Sequence, residues 1–442
     1  MDTLPLIAAV VVGGICVFLF LRSWITQAVE VEKDSKNEHK EEKTVEEVEK
    51  KTTEVKVKKK QIAVERRAKE SKPIFSHPWQ VATLKGHTSP VMDLDLSPNG
   101  KYLASCSEDR SILFWKVKEL AEKNHQPNRG AVEFDHGSKL SWSPDSKAIV
   151  IYRATDCEIE VFKVNKKPEG GIAIQHALKF PKHHTLDLVG FGIAANGKFI
   201  MSCDSEGDLV LWSLKGAILH QLHTKLSPAY CAKISPDGKL VAISGFTPDV
   251  KVLQVCLNKS GDFEKVVRAF ELKGHSSGVL GIDFSSDTSR AVTVSKDKTW
   301  RFYDVRVEYE KGQEPYLLKT GEWPFADLPT QVALSPDARS IAISHGTKIY
   351  NYDTVTGANH GTPDVHNGDI SALIFDPESR FIISTGDRYI QVLHNVAGCY
   401  AIINELQPKR KTAATTAQKE RIDQLINQAK CVLQKVGEKV EG

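Results

Sequence analysis

One five-residue phrase recurs along this chain with small errors, and no other feature constrains its fold as tightly. It reads Ser-Pro-Asn-Gly-Lys at residues 97–101, Ser-Pro-Asp-Ser-Lys at 143–147 and Ser-Pro-Asp-Gly-Lys at 235–239, with weaker copies at 194–198, 285–287, 335–337 and 376–378. Successive copies lie roughly 40–50 residues apart, the period of a chain assembled from repeated supersecondary units. Asn-Gly and Asp-Gly are tight-turn dipeptides, so each copy marks a hairpin between two strands. Several copies follow a Gly-His pair and precede Leu-Ala-Ser, an acidic turn and an aromatic residue. The clearest set is Gly86-His87, Leu103-Ala104-Ser105, Asp109 and Trp115. A chain built this way is suited to holding partners together rather than to catalysis.

The Gly-His pair, the acidic turn and the closing aromatic resemble the WD40 repeat, a four-stranded antiparallel blade whose signature residues are structural. The resemblance implies a His–Ser/Thr–Asp–Trp chain of hydrogen bonds that ties blade edges together. In the first unit it supplies His87, Asp109 and Trp115; Ser105 and Ser107 both remain open as the hydroxyl partner, because alternate strand residues share a face. The second unit runs from His136 to Phe162. The third runs from His184 to Trp212, with Glu206 at the turn, and the fourth closes on Leu253 in place of Trp. The fifth carries His275, Asp297 and Tyr303, the sixth ends at Tyr352-Asp353, and the seventh has His366, Asp387 and Leu393. The fold expected is therefore all-β, a seven-bladed WD40 β-propeller over residues 79–405. Seven blades close a ring without an exposed sheet edge, provided residues 79–85 supply the outer strand of the last blade. Residues 116–129, 258–265 and 308–329 read as longer loops or outer-strand excursions, and loops on a rigid scaffold often carry binding.

Three further segments differ from the repeats in composition. Residues 4–25 read as a transmembrane anchor: residues 4–21 hold no charge and as a helix reach about 27 Å, close to the bilayer core, before Arg22 and Trp24 at the interface. A cleaved signal peptide is the competing reading, opposed by Asp2 and by the lack of Lys or Arg ahead of the apolar run. Basic residues follow the span, so the positive-inside rule places the propeller in the cytoplasm. Eight scattered cysteines without a C-x-x-C pair agree with a reducing compartment.

Residues 30–72 form a charged stalk, acidic at Glu38, Glu41, Glu42, Glu46, Glu47 and Glu49 and basic from Lys50 onward. Opposite charges three and four apart support a solvated helix, while the scarcity of large apolar residues supports disorder. Either form spaces the propeller from a membrane. Lys56, Lys58, Lys59, Lys60, Arg66 and Arg67 are candidate contacts to anionic lipid, or to RNA as on a ribosome, with a solubilising spacer as the plainer reading. Residues 409–440 read as one amphipathic helix, with apolar positions from Ile422 to Val436 at three- and four-residue spacing. It serves equally as a partner-binding coil or as a helix packed on the propeller flank.

The search for reaction chemistry finds no enzyme. Residues 192–199 nearly match a phosphate-binding loop but lack the final Ser or Thr, and the same Asn-Gly-Lys recurs elsewhere as a turn. His183-His184 and the pair His220 and His223 have no adjacent Cys or acid in a zinc-site pattern, so no metal and no cofactor is expected. Neither a G-x-S-x-G elbow nor an H-E-x-x-H helix is present.

Residues 245–252 (GFTPDVKV), 266–275 (VVRAFELKGH) and 315–321 (PYLLKTG), with 197–201 and 211–216, resemble the transducin beta-like protein 2 family from about Ala82 to the C-terminus. Leu253 departs from that pattern, where Trp is favoured. The resemblance implies a single-pass endoplasmic reticulum membrane protein with a cytosolic propeller. It also implies a scaffold in stress signalling that associates with the stress-sensing kinase PERK and the translation machinery, with no small-molecule substrate. Two other classes remain as alternatives: a guanine-nucleotide exchange factor for a small GTPase, and an RNA or ribosome tether acting through the stalk.

Overall fold

The computed structural model describes residues 76–438, apart from 123, 134, 168–170, 328 and 329. The anchor at 4–25 and the stalk at 30–72 lie outside the described residues. Among the described residues, no helix is long and apolar enough to cross a membrane.

Seven antiparallel sheets form the blades of a propeller, and six of them have four strands. Blade one comprises Val91–Leu96, Tyr102–Ser107, Ser111–Lys116 and Asn128–Ala131; blade two, Gly137–Trp142, Ala148–Arg153, Ile159–Lys166 and Ile172–Lys179. Blade three comprises Leu188–Ile193, Ile200–Asp204, Asp208–Trp212 and Ile218–His223; blade four, Ala229–Ile234, Leu240–Gly245, Val250–Leu257 and Phe263–Leu272. Blade five comprises Val279–Phe284, Arg290–Ser295, Thr299–Asp304 and Tyr316–Glu322. Blade six has three strands, Val332–Leu334, Ser340–His345 and Lys348–Asp353. Its outer edge is met by an irregular segment, residues 358–365, through bridges from Lys348 to Asp364 and Tyr352 to Asn359 and backbone bonds such as Ile349 N to Pro363 O at 3.1 Å. Blade seven joins Ala372–Phe375, Phe381–Thr385 and Tyr389–His394 to an outer strand, Gln80–Lys85, from the start of the ring.

The middle strands of each blade are continuous apolar runs because neighbouring blades cover both of their faces. Leu103, Ile112, Leu113 and Trp115 of blade one are all buried, as are Ile200, Met201, Leu211 and Trp212 of blade three. The core is thus a ring of interfaces between blades. One such cluster holds Leu84, Ile383 and Ile390 against Val91, Leu103 and Leu113, which seals blade seven to blade one.

The repeated phrase is the hairpin between the first two strands of each blade. In blade one, Ser97 Oγ donates to Asn99 Oδ1 at 2.9 Å and accepts from Tyr102 N at 2.9 Å. Blade two repeats the pattern with Ser143, Asp145 and Ala148. The fourth residue of every copy is left-handed: Gly100 (φ 66°), Ser146 (57°), Gly197 (65°), Gly238 (71°), Thr288 (57°), Ala338 (59°) and Ser379 (58°). Glycine adopts that conformation at no steric cost, which explains the best copies. Three of the non-glycine copies use their hydroxyls to join one blade to the next. Asn99 N donates to Ser146 Oγ at 3.2 Å, Asp237 N to Thr288 Oγ1 at 3.1 Å, and Asp337 N to Ser379 Oγ at 3.3 Å. Two other junctions use carbonyls, with Asn196 Nδ2 on Gly238 O and Ser286 Oγ on Pro336 O, both at 2.8 Å.

Two of the long segments are outer-strand excursions: residues 258–262 are a tight turn within a long hairpin, Leu257 facing Phe263, and residues 308–329 contain the outer strand of blade five. In place of one helix over 409–440, two helices form: α1, Val396–Thr412, and α2, Thr416–Lys435. The break falls where Thr415 and Gln418 make a reciprocal capping box, which starts a new helix more strongly than residues 413–415 continue the old one. The apolar stripe of α2 then folds back onto α1: Ile426, Ala429 and Leu433 are buried with Val396, Ile403, Leu406 and Trp79. Arg339 Nε pairs with Glu405 Oε2 at 2.7 Å, and His360 stacks on Tyr400 with centroids 4.2 Å apart, so the helical hairpin lies on the flank of blade six.

Candidate interaction site

Antiparallel strands send the Gly-His turns and the acidic turns to the same face of the ring. In blade one, His87 Nε2 lies 2.7 Å from Ser105 Oγ, and Trp115 Nε1 donates to the same oxygen at 3.0 Å. His87 Nδ1 is 3.1 Å from Asp109 Oδ2, which also accepts from Thr88 N at 2.9 Å. Ser105 is therefore the hydroxyl of this chain. Ser107 Oγ donates to Ser89 O instead. In blade three, His184 Nε2 is 2.7 Å from Ser202 Oγ, which accepts from Trp212 Nε1 at 2.8 Å. The acid here is Asp204, 3.1 Å from His184 Nδ1. Glu206, the residue expected from the sequence, only donates its backbone N–H to Asp204. In blade five, His275 contacts Thr293 Oγ1 and Asp297 Oδ2, both at 2.8 Å, and Tyr303 donates its hydroxyl to Lys273 O at 3.0 Å. Blade seven keeps His366 on Ser384 Oγ at 2.9 Å, with Asp387 at 3.6 Å and Leu393 buried.

The even-numbered blades hold their turns differently. Blade two centres on buried Arg153, whose Nη1 is 2.9 Å from Glu160 Oε1 and whose Nη2 is 2.5 Å from Asp156 Oδ2, with Asp135 at 3.6 Å. His136, the expected start of that blade, instead contacts its neighbour Asp135 at 3.2 Å. A buried charge needs partners of this kind. In blade four, Lys251 Nζ donates to Thr224 O at 2.7 Å. In blade six, Asp353 Oδ2 accepts from His360 Nε2 at 2.7 Å and from Thr356 Oγ1.

The inner strands surround a channel of ≈ 290 Å³ lined in part by Asp93, Lys139, Tyr230, Lys233, Gln331 and Ser371. Its acidic groups are engaged in joining blades. Asp93 Oδ2 accepts from Leu140 N at 2.9 Å, Asp95 Oδ2 from Trp142 N at 2.7 Å, and Asp283 Oδ2 from Leu334 N at 2.8 Å. Desolvation pushes Asp95 up to about 7. At the rim between blades four and five, Lys296 Nζ donates to Tyr230 OH at 2.7 Å and lies over its ring. Phe246 follows the second strand of blade four and is 51 % exposed. Aromatic side chains beside a cation give this rim the composition of a protein-binding surface.

One sequence expectation looks different in three dimensions. His183-His184 lacks acidic neighbours in sequence, yet the fold brings Asp204 and Asp208 to it, and His184, Asp204 and Asp208 could share a metal ion by distance. Each of these side chains already has protein partners. His184 uses both ring nitrogens, Asp204 Oδ1 accepts from Asp208 N, and Asp208 accepts from His183 Nε2 at 2.9 Å and from Gln221 Nε2. The group is thus a structural network. Lys56, Lys58, Lys59, Lys60, Arg66 and Arg67 lie outside the described residues. The cysteines among the described residues are free thiols.

Residues 78–116, 266–304 and 358–393 match the family model described as WD domain, G-beta repeat. Those spans fall on blades one, five and seven, which carry the His-centred networks in full or in part. Beyond the repeat, the chain is 40% identical over 375 residues to Transducin beta-like protein 2 of Mus musculus, covering 84% of this chain and 85% of that protein. The human protein of the same name matches at 40% over 376 residues, covering 84% of each. A Nuclear distribution protein PAC1 from Arthroderma otae is 23% identical over 69% of this chain and 65% of its own length. Identity of 40% over 84% of its length places this chain in the transducin beta-like protein 2 family.

Proposed function

We propose that this chain is a membrane-anchored, non-enzymatic adaptor on the cytosolic face of the endoplasmic reticulum, acting in stress signalling through the kinase PERK and the translation machinery. The observation that carries the reading is its 40% identity to Transducin beta-like protein 2 across 84% of the chain. Two physical features support it. The channel carboxylates Asp93, Asp95 and Asp283 bind backbone N–H groups of neighbouring blades, which is a structural use rather than a chemical one. The apolar stretch at 4–21 has the length to confine the propeller to a membrane surface. Confinement raises the effective concentration of one membrane protein for another, so weak contacts suffice.

Protease treatment of intact microsomes, with tags at both ends of the chain, tests the topology. Digestion of the C-terminal tag with protection of the N-terminal one is expected. Protection of the propeller together with glycosylation at Asn258 would reverse it. The kinase should co-purify with the full chain and not with a chain lacking residues 76–438. Unchanged recovery without the propeller would remove the adaptor role.

A further inference from the structure

We propose that a groove between blades two and three, on the face of the Ser-Pro-Asp turns, docks an acidic linear peptide that inserts an aliphatic or aromatic side chain. This rests on the adaptor reading only in taking the occupant to be a segment of a partner protein. The groove measures ≈ 370 Å³ and its apolar lining is Pro144, Val150, Val161, Ile193, Ile200 and Leu214. That size lies at the low end of ligand pockets, about 300–1,000 Å³, and suits a side chain with its flanking backbone. Leu214 is 48 % exposed, and Ile218 on the same hairpin is 47 % exposed. Apolar walls left open to water in this way mark interaction sites.

At the groove, blades two and three are joined beneath their turns, where Ile193 N donates to Ser141 Oγ at 3.2 Å. Side-chain or carbonyl hydrogen bonds join the Ser-Pro-Asp turns of blades one and two, three and four, four and five, five and six, and six and seven. Among the described residues none joins the turn at 143–147 to that at 194–198, or the last turn of the ring to the first. The left-handed position of blade three is Gly197, whereas blades two, five and seven place a hydroxyl there. A Cβ on Gly197 would approach nothing closer than Pro144 Cγ at 4.0 Å, so the gap is real space.

Three lysines surround the groove against one carboxylate in its lining, Asp145. Lys147 ends the blade-two turn, Lys163 lies opposite the groove residue Ala148 in the strand register, and Lys215 adjoins Leu214. All three are exposed, and none is ion-paired among the described residues. Asp145, the carboxylate of the lining, is held by its own turn: it accepts from Ser143 Oγ at 2.6 Å and from Lys147 N at 3.0 Å. Complementarity therefore selects an acidic occupant, with the apolar side chain supplying affinity and the lysines orienting and steering it.

The test titrates the full chain in detergent micelles against a fluorescein-labelled peptide of glutamates around a central Leu-Phe pair, read by anisotropy. Saturable binding is expected. It should weaken about tenfold, roughly 1.4 kcal/mol, with Leu214→Asp, with Lys147→Glu and Lys215→Glu together, with Gly197→Ser, and with Ala-Ala in place of Leu-Phe. Lys311→Glu on blade five should leave it unchanged, and circular dichroism checks that every variant folds. No saturable binding, or binding indifferent to Leu214→Asp or to the Leu-Phe pair, overturns the proposal. Binding that appears only after Glu38, Glu41, Glu42, Glu46, Glu47 and Glu49 are neutralised identifies the chain's own acidic segment as the occupant, and also overturns it. Kinase co-purification is measured in parallel. Retained association without peptide binding removes the groove alone, and lost association with peptide binding intact removes the kinase reading alone.

Discussion

In blade one a single hydroxyl serves two buried ring nitrogens. Ser105 Oγ accepts from Trp115 Nε1 and contacts His87 Nε2, and Ser105 itself is fully buried. Ser105→Ala leaves both nitrogens without a partner in the core. It should cost about 1–3 kcal/mol, measured by urea denaturation. Titration follows the same burial. Desolvation holds the imidazoles of His87, His184 and His275 below the ordinary value of 6.5, against the pull of Asp109, Asp204 and Asp297. A histidine lowered in the folded state contributes stability that is present above pH 6.5 and lost as pH falls through its lowered value. Imidazole resonances followed by NMR should show all three still mainly neutral at pH 6.5. Asp95 has the opposite sign. Raised to about 7, it contributes stability that is complete below 3.8 and lost as pH rises through 7. Asp95→Asn keeps an acceptor for Trp142 N, so it should be more stable than the wild type at pH 8, with the difference gone by pH 4. Equal stability at pH 8 would mean that water in the channel solvates the carboxylate.

At the scale of elements, the turns show how a repeat varies without losing its fold. The left-handed position costs an L-residue about 1–2 kcal/mol, and Ala338 occupies it without a hydroxyl to offset that strain. Ala338→Gly should therefore raise stability by about 0.5–1 kcal/mol after the entropy of glycine is counted. Ser146→Gly should gain less, because it also removes the acceptor of Asn99 N. Thermal unfolding of the two variants side by side checks the contrast. The helix start at Asn395 joins three elements: its Oδ1 accepts from Gly398 N at 3.0 Å, and its Nδ2 donates to Ser340 Oγ and to Ser379 O, both at 2.8 Å. Loss of that buried amide in Asn395→Ala should cost about 2–3 kcal/mol and loosen the helical hairpin, detectable as faster amide exchange in α1.

At the scale of the molecule, one strand closes the ring. Gln80–Lys85 pairs with Tyr389–His394 across more than three hundred residues of sequence. Ser371 Oγ donates to Val91 O at 2.7 Å between the inner strands of the same two blades. Deleting residues 76–85 should expose the edge of Tyr389–His394 and uncover the Leu84 cluster. The expected result is a large fall in thermal midpoint with aggregation, read by light scattering during heating.

The sequence alone determined the number of units, the hairpin turns and the closing strand, because each depends on residues near one another in the chain. Ser-Pro-Asp-Gly-Lys folds by bonds within five or six residues, and the run from Gln80 announces itself by its apolar character and its place before the first Gly-His. Partners set by distance in space were not legible. Sequence spacing favoured Glu206, while the strand ending at Asp204 turned that carboxylate toward His184. Nothing local marked Arg153 as the centre of blade two: Asp156 is three residues away, but Asp135 and Glu160 reach it only when strands have paired. The three-stranded sixth blade and the folded-back α2 were likewise decided by packing, as was the open groove beside Gly197. Each needed a surface from another part of the chain to exist first.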